Sequence, residues 1–374
     1  MTDTTSRTRS AGLRALLPAL IGAAIVVLLA ILPLLNVEVP GILPGPTYTP
    51  GTLALLSLCM VYAALALSYN MLLGTAGLLS FGHALYFGAG AYGLGIVLQY
   101  LQVPLWPGIL IAVLGGLVIA AVTGAISLRV TGIPFAMVTL AFAQAMSLLV
   151  RRNAQITGGE EGMSLPTAHV PDWLIGVINT RNLYWVALVV VVIVYLIALW
   201  VDRSRLGRIA QATRENELRV RVLGLSPYLA KLIVFVAAAI GASLAGIAYM
   251  LLQSGTQPQA VSADLTITVL VMLVLGGVGF RWGAVVGGVV YTLLDQRLTV
   301  LSRSDAIAGL PDMLRVPLAE PLFILGVLFI LVVMFLPGGI AGTVDSLMRR
   351  RRARRTGDLP GDVEIAPEHE QVRA

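Results

Sequence analysis

The residues best suited to do something in this chain are the charges of Ser204–Pro227, SRLGRIAQATRENELRVRVLGLSP. Arg205, Arg208, Arg214, Glu215, Glu217, Arg219 and Arg221 follow one another between two long apolar runs. Closely spaced charges of both signs can grip a partner and transmit force. They are equally the pattern of an ordinary basic loop in which Glu/Arg pairs support an exposed helix. The spacing predicts a helix from about Ile209 to Leu223, ended by Gly224, which tolerates the left-handed conformation that closes helices. Leu218, Val222 and Leu225 would form an apolar stripe along it.

Other chemistry is sparse. A carrier driven by protons or ions keeps ionisable groups deep in the bilayer, where they are costly and therefore functional. Here Asp295, Arg297, Glu320 and Lys231 fall near the ends of apolar runs, and His83 is the one imidazole close to such a run. No run carries paired carboxylates, a Ser/His dyad at helical spacing or an H-E-x-x-H pair, which argues against an intramembrane enzyme. Lys231 is the sole lysine and precedes Leu232, so a G-x-x-x-x-G-K-[ST] phosphate loop is excluded. The lone Cys59 excludes an internal disulfide and a cysteine-based metal cluster. The expectation is a chain with no cofactor of its own, driven from another subunit.

These residues need a scaffold, and composition says which kind. With 57% hydrophobic and 12% charged residues in 374, the chain has too little polar material to cover a soluble globule. Apolar stretches of about 18–22 residues suit helices that cross the ~30 Å hydrocarbon layer. About ten spans are expected, near 15–35, 52–73, 83–101, 108–128, 132–150, 183–201, 229–252, 264–280, 282–298 and 319–337. The first follows Arg7, Arg9 and Arg14 like a secretory signal, but its length favours an uncleaved helix.

The net charge of +6 is spread over short flanking segments, which fits a cytoplasmic basic bias better than nucleic-acid binding. Both termini, the island, Arg129 and Arg281 are then cytoplasmic; Arg151, Arg152, Arg303 and Arg315 fall on the opposite side against the trend. The domains read as a cytoplasmic N-terminus (1–14), a transmembrane unit (15–342) with its charged segment at about 203–228, and a basic, then acidic and disordered, cytoplasmic tail (343–374). Glycine-rich stretches at 74–95 and 276–288 predict broken or very closely packed helices. Tyr100, Trp106, Trp173, Tyr184, Trp185 and Trp200 are expected as interfacial anchors.

Six blocks, in order, resemble the permease subunits of branched-chain amino acid ABC importers, the LivM type. They are Gly77-Leu78-Leu79-Ser80-Phe81-Gly82-His83 with Phe87-Gly88 and Gly90-Ala91-Tyr92; Phe135 to Gln144; Thr157-Gly158-Gly159 through Gly162; Ser204 to Arg208 with Arg214-Glu215-Asn216-Glu217 and Leu223-Gly224; Leu275 to Gly279 with Gly283; and Phe335 to Gly339. Pro134, Glu160-Glu161, Val220, Arg221, Phe280 and Ala284 depart from the family pattern.

The resemblance implies an all-α, polytopic bacterial inner-membrane permease that is no enzyme. It would take up branched-chain or related hydrophobic amino acids, or, in the same architecture, urea, amides or aromatic amino acids. A secondary transporter or channel is the rival reading. The implied partners are a second permease in a heterodimer, two ATPase subunits that bind ATP, and an extracytoplasmic substrate-binding protein. Arg208, Arg214, Glu215, Glu217 and Gly224 would form the coupling helix. Ser80, His83, Thr139 and Gln144 are candidates for the translocation pathway, with structural hydrogen bonding the competing role for His83 and helix-to-helix bonding for Thr139 and Gln144. Gly158, Gly159, Glu160 and Glu161, in a loop expected to be flexible, would meet the binding protein or merely turn the chain.

Overall fold

The computed structural model describes residues 20–39, 43–302, 320–336 and 338–356. Arg7, Arg9 and Arg14, the segment with Arg303 and Arg315, and the acidic tail lie outside them. Thirteen labelled helices account for most of the described chain: α1 Leu20–Leu34, α2 Pro50–Thr75, α3 His83–Leu101, α4 Leu105–Ser127, α5 Ile133–Arg152, α6 Val177–Arg203, α7 Arg205–Glu215, α8 Glu217–Val222, α9 Pro227–Gln253, α10 Ala263–Gly276, α11 Arg281–Ser302, α12 Pro321–Phe335 and α13 Gly339–Thr356. Prolines open α2, α9 and α12 and stand in the first turn of α5, where their missing N–H costs nothing.

Each of the ten expected spans is largely helical over its described residues, and among the described residues eight stretches are long and apolar enough to cross a membrane. Of the other two, Leu20–Leu34 begins at the edge of the described residues, and only Ala263–Gly276 is bounded as a short helix. α10 has 14 residues, about 21 Å at 1.5 Å per residue, less than the ~30 Å hydrocarbon layer. The segment ahead of it makes up the length: Gly255–Thr256 pairs antiparallel with Met163–Ser164, and the 3₁₀ turn Pro258–Val261 packs against α3 and α5. Irregular backbone survives in such a bundle where protein surrounds it, and Ala260, Val261 and Ser262 are buried. Residues 76–82 ahead of α3 form a second irregular entry, with Ala76, Leu78, Ser80 and Gly82 buried.

α2, α3 and α9 form the centre, wrapped by α4, α6, α10 and α11. The glycine stretches serve close approach. A Cβ on Gly90 would run into the Ser243 carbonyl of α9, one on Gly246 into the Phe87 carbonyl of α3, and one on Gly288 of α11 would stand 2.7 Å from the Ala63 Cα of α2. Such contacts let backbones, rather than side chains, set the helix spacing.

Three expectations change. The predicted helix from Ile209 to Leu223 is two helices, because Asn216 adopts an extended conformation (φ −158°, ψ 103°) between them. Tyr184 is buried rather than an anchor at the surface: its hydroxyl donates to the Leu29 carbonyl at 2.7 Å, and beside it the half-buried Trp185 indole donates to that of Ala30 at 3.2 Å, tying α6 to α1. The loop holding Glu160 and Glu161 is tied down, through the short strand pair and through Thr157, whose hydroxyl donates to the Val150 carbonyl at 2.6 Å.

Candidate functional site

Three groups of predicted residues sit in three places. At one end of the bundle α7 and α8 make an elbow. Ser204 caps α7 by accepting from Gly207 N at 2.9 Å, and Asn216 caps α8 by accepting from Arg219 N at 2.9 Å. Glu217 links the elbow to the bundle: its carboxylate accepts from Lys231 Nζ of α9 at 2.7 Å and from Arg221 at 2.5 Å. The Lys231 hydrogen bond, helped by Arg221, holds the Glu217 carboxyl below its ordinary value, against the smaller opposing effect of burial. Arg214, exposed overall, reaches back to donate to the Gly74 carbonyl at the end of α2. Its stem lies over Gly77, where a Cβ would stand 2.7 Å from Arg214 Cγ. Arg208 and Glu215 point to solvent. Gly224 turns the chain out of α8 at φ 75°.

α8 leaves Leu218, Val222 and Leu223 70%, 79% and 74% exposed, beside Arg219 and Arg221. Adjacent to the elbow, Asp202 accepts from Thr75 at 2.9 Å and pairs with Arg281 at 3.0 Å, gathering the ends of α6, α2 and α11. Asn70 adds a link by accepting from Gly279 N at 2.9 Å. Asp202, Thr75 and Asn70 were not singled out from sequence, since each acts through a partner far along the chain.

Inside the bundle, Ser80, His83 and Thr139 come together and Gln144 does not. Thr139 Oγ1 accepts from Phe81 N at 3.1 Å and donates to Ala136 O at 2.9 Å. Ser80 Oγ accepts from Gly82 N at 3.2 Å, while its carbonyl accepts from the Tyr69 hydroxyl at 2.9 Å. His83 Nε2 lies 2.8 Å from Ser68 Oγ, with the imidazole against Tyr69 and Tyr86. All three residues are buried and fix the turn that starts α3. Beside them Ala84 N donates to Thr266 Oγ1 at 2.9 Å, so the N-termini of α3 and α10 meet. Thr266 is a further missed residue. Gln144 stands exposed midway along α5, in line with Met137, Ala141 and Leu148.

At the opposite end, Gly158 and Gly159 take φ of 75° and 60°, and Glu160 pairs with Arg151 at 3.2 Å. That pair is exposed and contributes little to stability, but it gives Arg151 a reason to lie away from the elbow. Glu161 is also exposed.

An all-α, polytopic membrane protein with a polar elbow at one end and a tethered acidic loop at the other is therefore defined. The branched-chain amino acid transport system / permease component family matches residues 51–336, and the chain belongs to it. The permease protein LivM of Escherichia coli K12 is 28% identical over 330 residues, covering 82% of this chain and 74% of the relative. The probable permease protein LivM of Methanocaldococcus jannaschii is 27% identical over 317 residues, covering 75% and 90%. LivH of Escherichia coli K12 is 23% identical over 299 residues, covering 75% and 91%. These relatives are named as transport permeases, not enzymes.

Proposed function

We propose that this chain is one permease subunit of an ATP-driven importer for branched-chain or related hydrophobic amino acids. It works with a second permease in a heterodimer, two ATPase subunits that bind the ATP, and an extracytoplasmic binding protein. The elbow is cytoplasmic, with both termini on the same side, and residues 15–342 form the transmembrane unit. Basic charge at the elbow end, in Arg203, Arg205, Arg208, Arg129 and Arg281, supports that orientation.

The observation that carries the reading is the α8 surface. Leu218, Val222 and Leu223 stand exposed among charges at a bundle end, while Glu217 on the same six-residue helix is bonded into α9 through Lys231. An apolar patch ringed by polar groups suits a protein partner, and a rigid link from patch to membrane helix transmits what that partner does. In this reading Arg208, Glu215 and Gly224 shape the contact, while Arg214 and Glu217 carry it into α2 and α9. Gln144 faces the second permease or the path between the two. Gly158, Gly159, Glu160 and Glu161 form the platform for the binding protein.

The test is reconstitution. Vesicles holding this chain with the second permease and the ATPases, supplied with binding protein and ATP, should accumulate leucine, whereas vesicles holding this chain alone should not. Leucine flux through the chain alone sinks the reading.

A further inference from the structure

Two cavities open among the helix ends away from the elbow, and they share a wall. The inner one, about 400 Å³, lies between α2, α9, α10 and α11; the outer, about 430 Å³, lies beside the strand pair and reaches Glu161. Tyr249 and Gln253 of α9 line both, which makes them two lobes of one cleft running from the acidic loop into the bundle. α11 starts at the elbow, where Arg281 meets Asp202. Asp295, 14 residues further on, is therefore about 21 Å away at 1.5 Å per residue, and it lines the inner lobe.

The described lining has one electrostatic sign. Asp295 and Asp264 flank the inner lobe and Glu161 the outer, with no basic side chain among the described lining residues. Neither aspartate has an ion-pair partner among the described residues. Tyr62, Tyr249 and Tyr291 face the inner lobe, with Tyr62 and Tyr249 tilted at a ring separation of 6.4 Å. Independently, the Thr256 hydroxyl on the outer lobe's wall is 4% exposed and has no hydrogen-bond partner among the described residues. A half-buried carboxylate within a membrane-spanning helix is costly unless something positive visits it. Aromatic rings beside carboxylates make the surroundings that attract organic cations, and the volumes fall within the range of small-molecule sites.

We propose that this cleft is a binding site for an alkylammonium group, with Asp295 receiving the charge, the tyrosines flanking the carbon chain and the Thr256 hydroxyl serving the outer lobe. The ammonium of an amino acid cargo and that of a simple amine share this chemistry; assigning the cargo rests on the uptake reading above.

The test uses the purified full chain in lipid nanodiscs and equilibrium dialysis with labelled 3-methylbutylamine, leucine and isocaproate. Saturable binding of both amine-bearing probes, weakened about tenfold or more by Asp295→Asn and by Tyr249→Leu, with isocaproate unbound, supports the proposal. Thr256→Val, in the outer lobe away from Asp295, should weaken binding by a smaller factor. Binding of the amine without leucine keeps the ammonium site and overturns the cargo assignment. Absence of saturable binding of 3-methylbutylamine, equal binding of isocaproate, or indifference to both Asp295→Asn and Tyr249→Leu overturns the site. Leucine uptake by the reconstituted assembly, measured alongside, separates the two readings: uptake without binding at the cleft removes this inference alone, and absence of uptake removes the transport reading while the dialysis result stands.

Discussion

Lys231 Nζ lies 2.7 Å from Glu217 Oε2, joining the short helix α8 to the first turns of α9. The chain's one lysine is buried and spends its charge there. A buried ion pair is a poor source of stability, but losing one partner leaves the other uncompensated. Lys231→Met should therefore detach α8 while α9 still inserts. Uptake by the reconstituted assembly should drop roughly tenfold, within the 0.5–2 kcal/mol by which residues along such a link change coupling. Trypsin should also cut faster at Arg219 and Arg221. Unchanged uptake and unchanged cleavage would show that α8 is held by something else.

The same pair sets a pH dependence. Lys231 and Arg221 depress the Glu217 carboxyl below its ordinary value of 4.5. Its contribution is thus complete above that value and lost as pH falls through the lowered one. Hydrogen exchange of the α8 amides, corrected for intrinsic rate, should be flat from neutral pH to about 5 and rise only in stronger acid. Glu217→Gln should give fast exchange already at neutral pH. Loosening of wild-type α8 between pH 6 and about 8 would point to a different group.

Gly224 ends α8 at φ 75° with open space where a Cβ would stand. Alanine there meets no neighbour and bears only the left-handed backbone cost, about 1–2 kcal/mol, so Gly224→Ala should retain most uptake. Proline is locked near φ −65° and must swing Leu225 and Ser226, and with them α8, to a new direction. Gly224→Pro is expected to abolish uptake at normal membrane abundance, read by immunoblot of the membrane fraction. Equal activity in the two variants would mean that the exit direction of α8 does not matter.

The helix-ending role of Gly224 was legible because conformational preference is local, as were the ten apolar segments, whose length against bilayer thickness is a property of the chain alone. Asn216 was not read as a break. Asparagine sits acceptably inside helices, and what stops this one is the gain of Asn216 capping α8 while Glu217 turns toward Lys231, a residue 14 positions away. The reach of Arg214 back to Gly74 and the meeting of Ala84 with Thr266 span 140 and 182 positions. Periodicity carries no signal for either. The glycine stretches lay in between: their density announced close packing, but which backbone each one meets depends on the assembled bundle.

Ser80, His83, Thr139 and Gln144 were all candidates for the pathway, and the structure separates them. Thr139 is enclosed, its hydroxyl accepting from Phe81 N and donating to Ala136 O. Thr139→Val preserves the shape but leaves the Phe81 N–H unbonded in a buried turn, which costs about 1–3 kcal/mol. It should lower the unfolding temperature of the purified chain and the yield of assembled transporter together, with the affinity for leucine unchanged in the fraction that assembles. Gln144 is exposed on α5 in line with Met137, Ala141 and Leu148, and a mid-span amide turned to lipid would be unfavourable. That face is best covered by the second permease or by water in the path. Gln144→Leu should therefore leave the unfolding temperature of the isolated chain within about 0.5 kcal/mol equivalent and yet alter heterodimer yield or leucine transport. If Gln144→Leu is silent in both assays, α5 faces lipid there and the path runs along another helix.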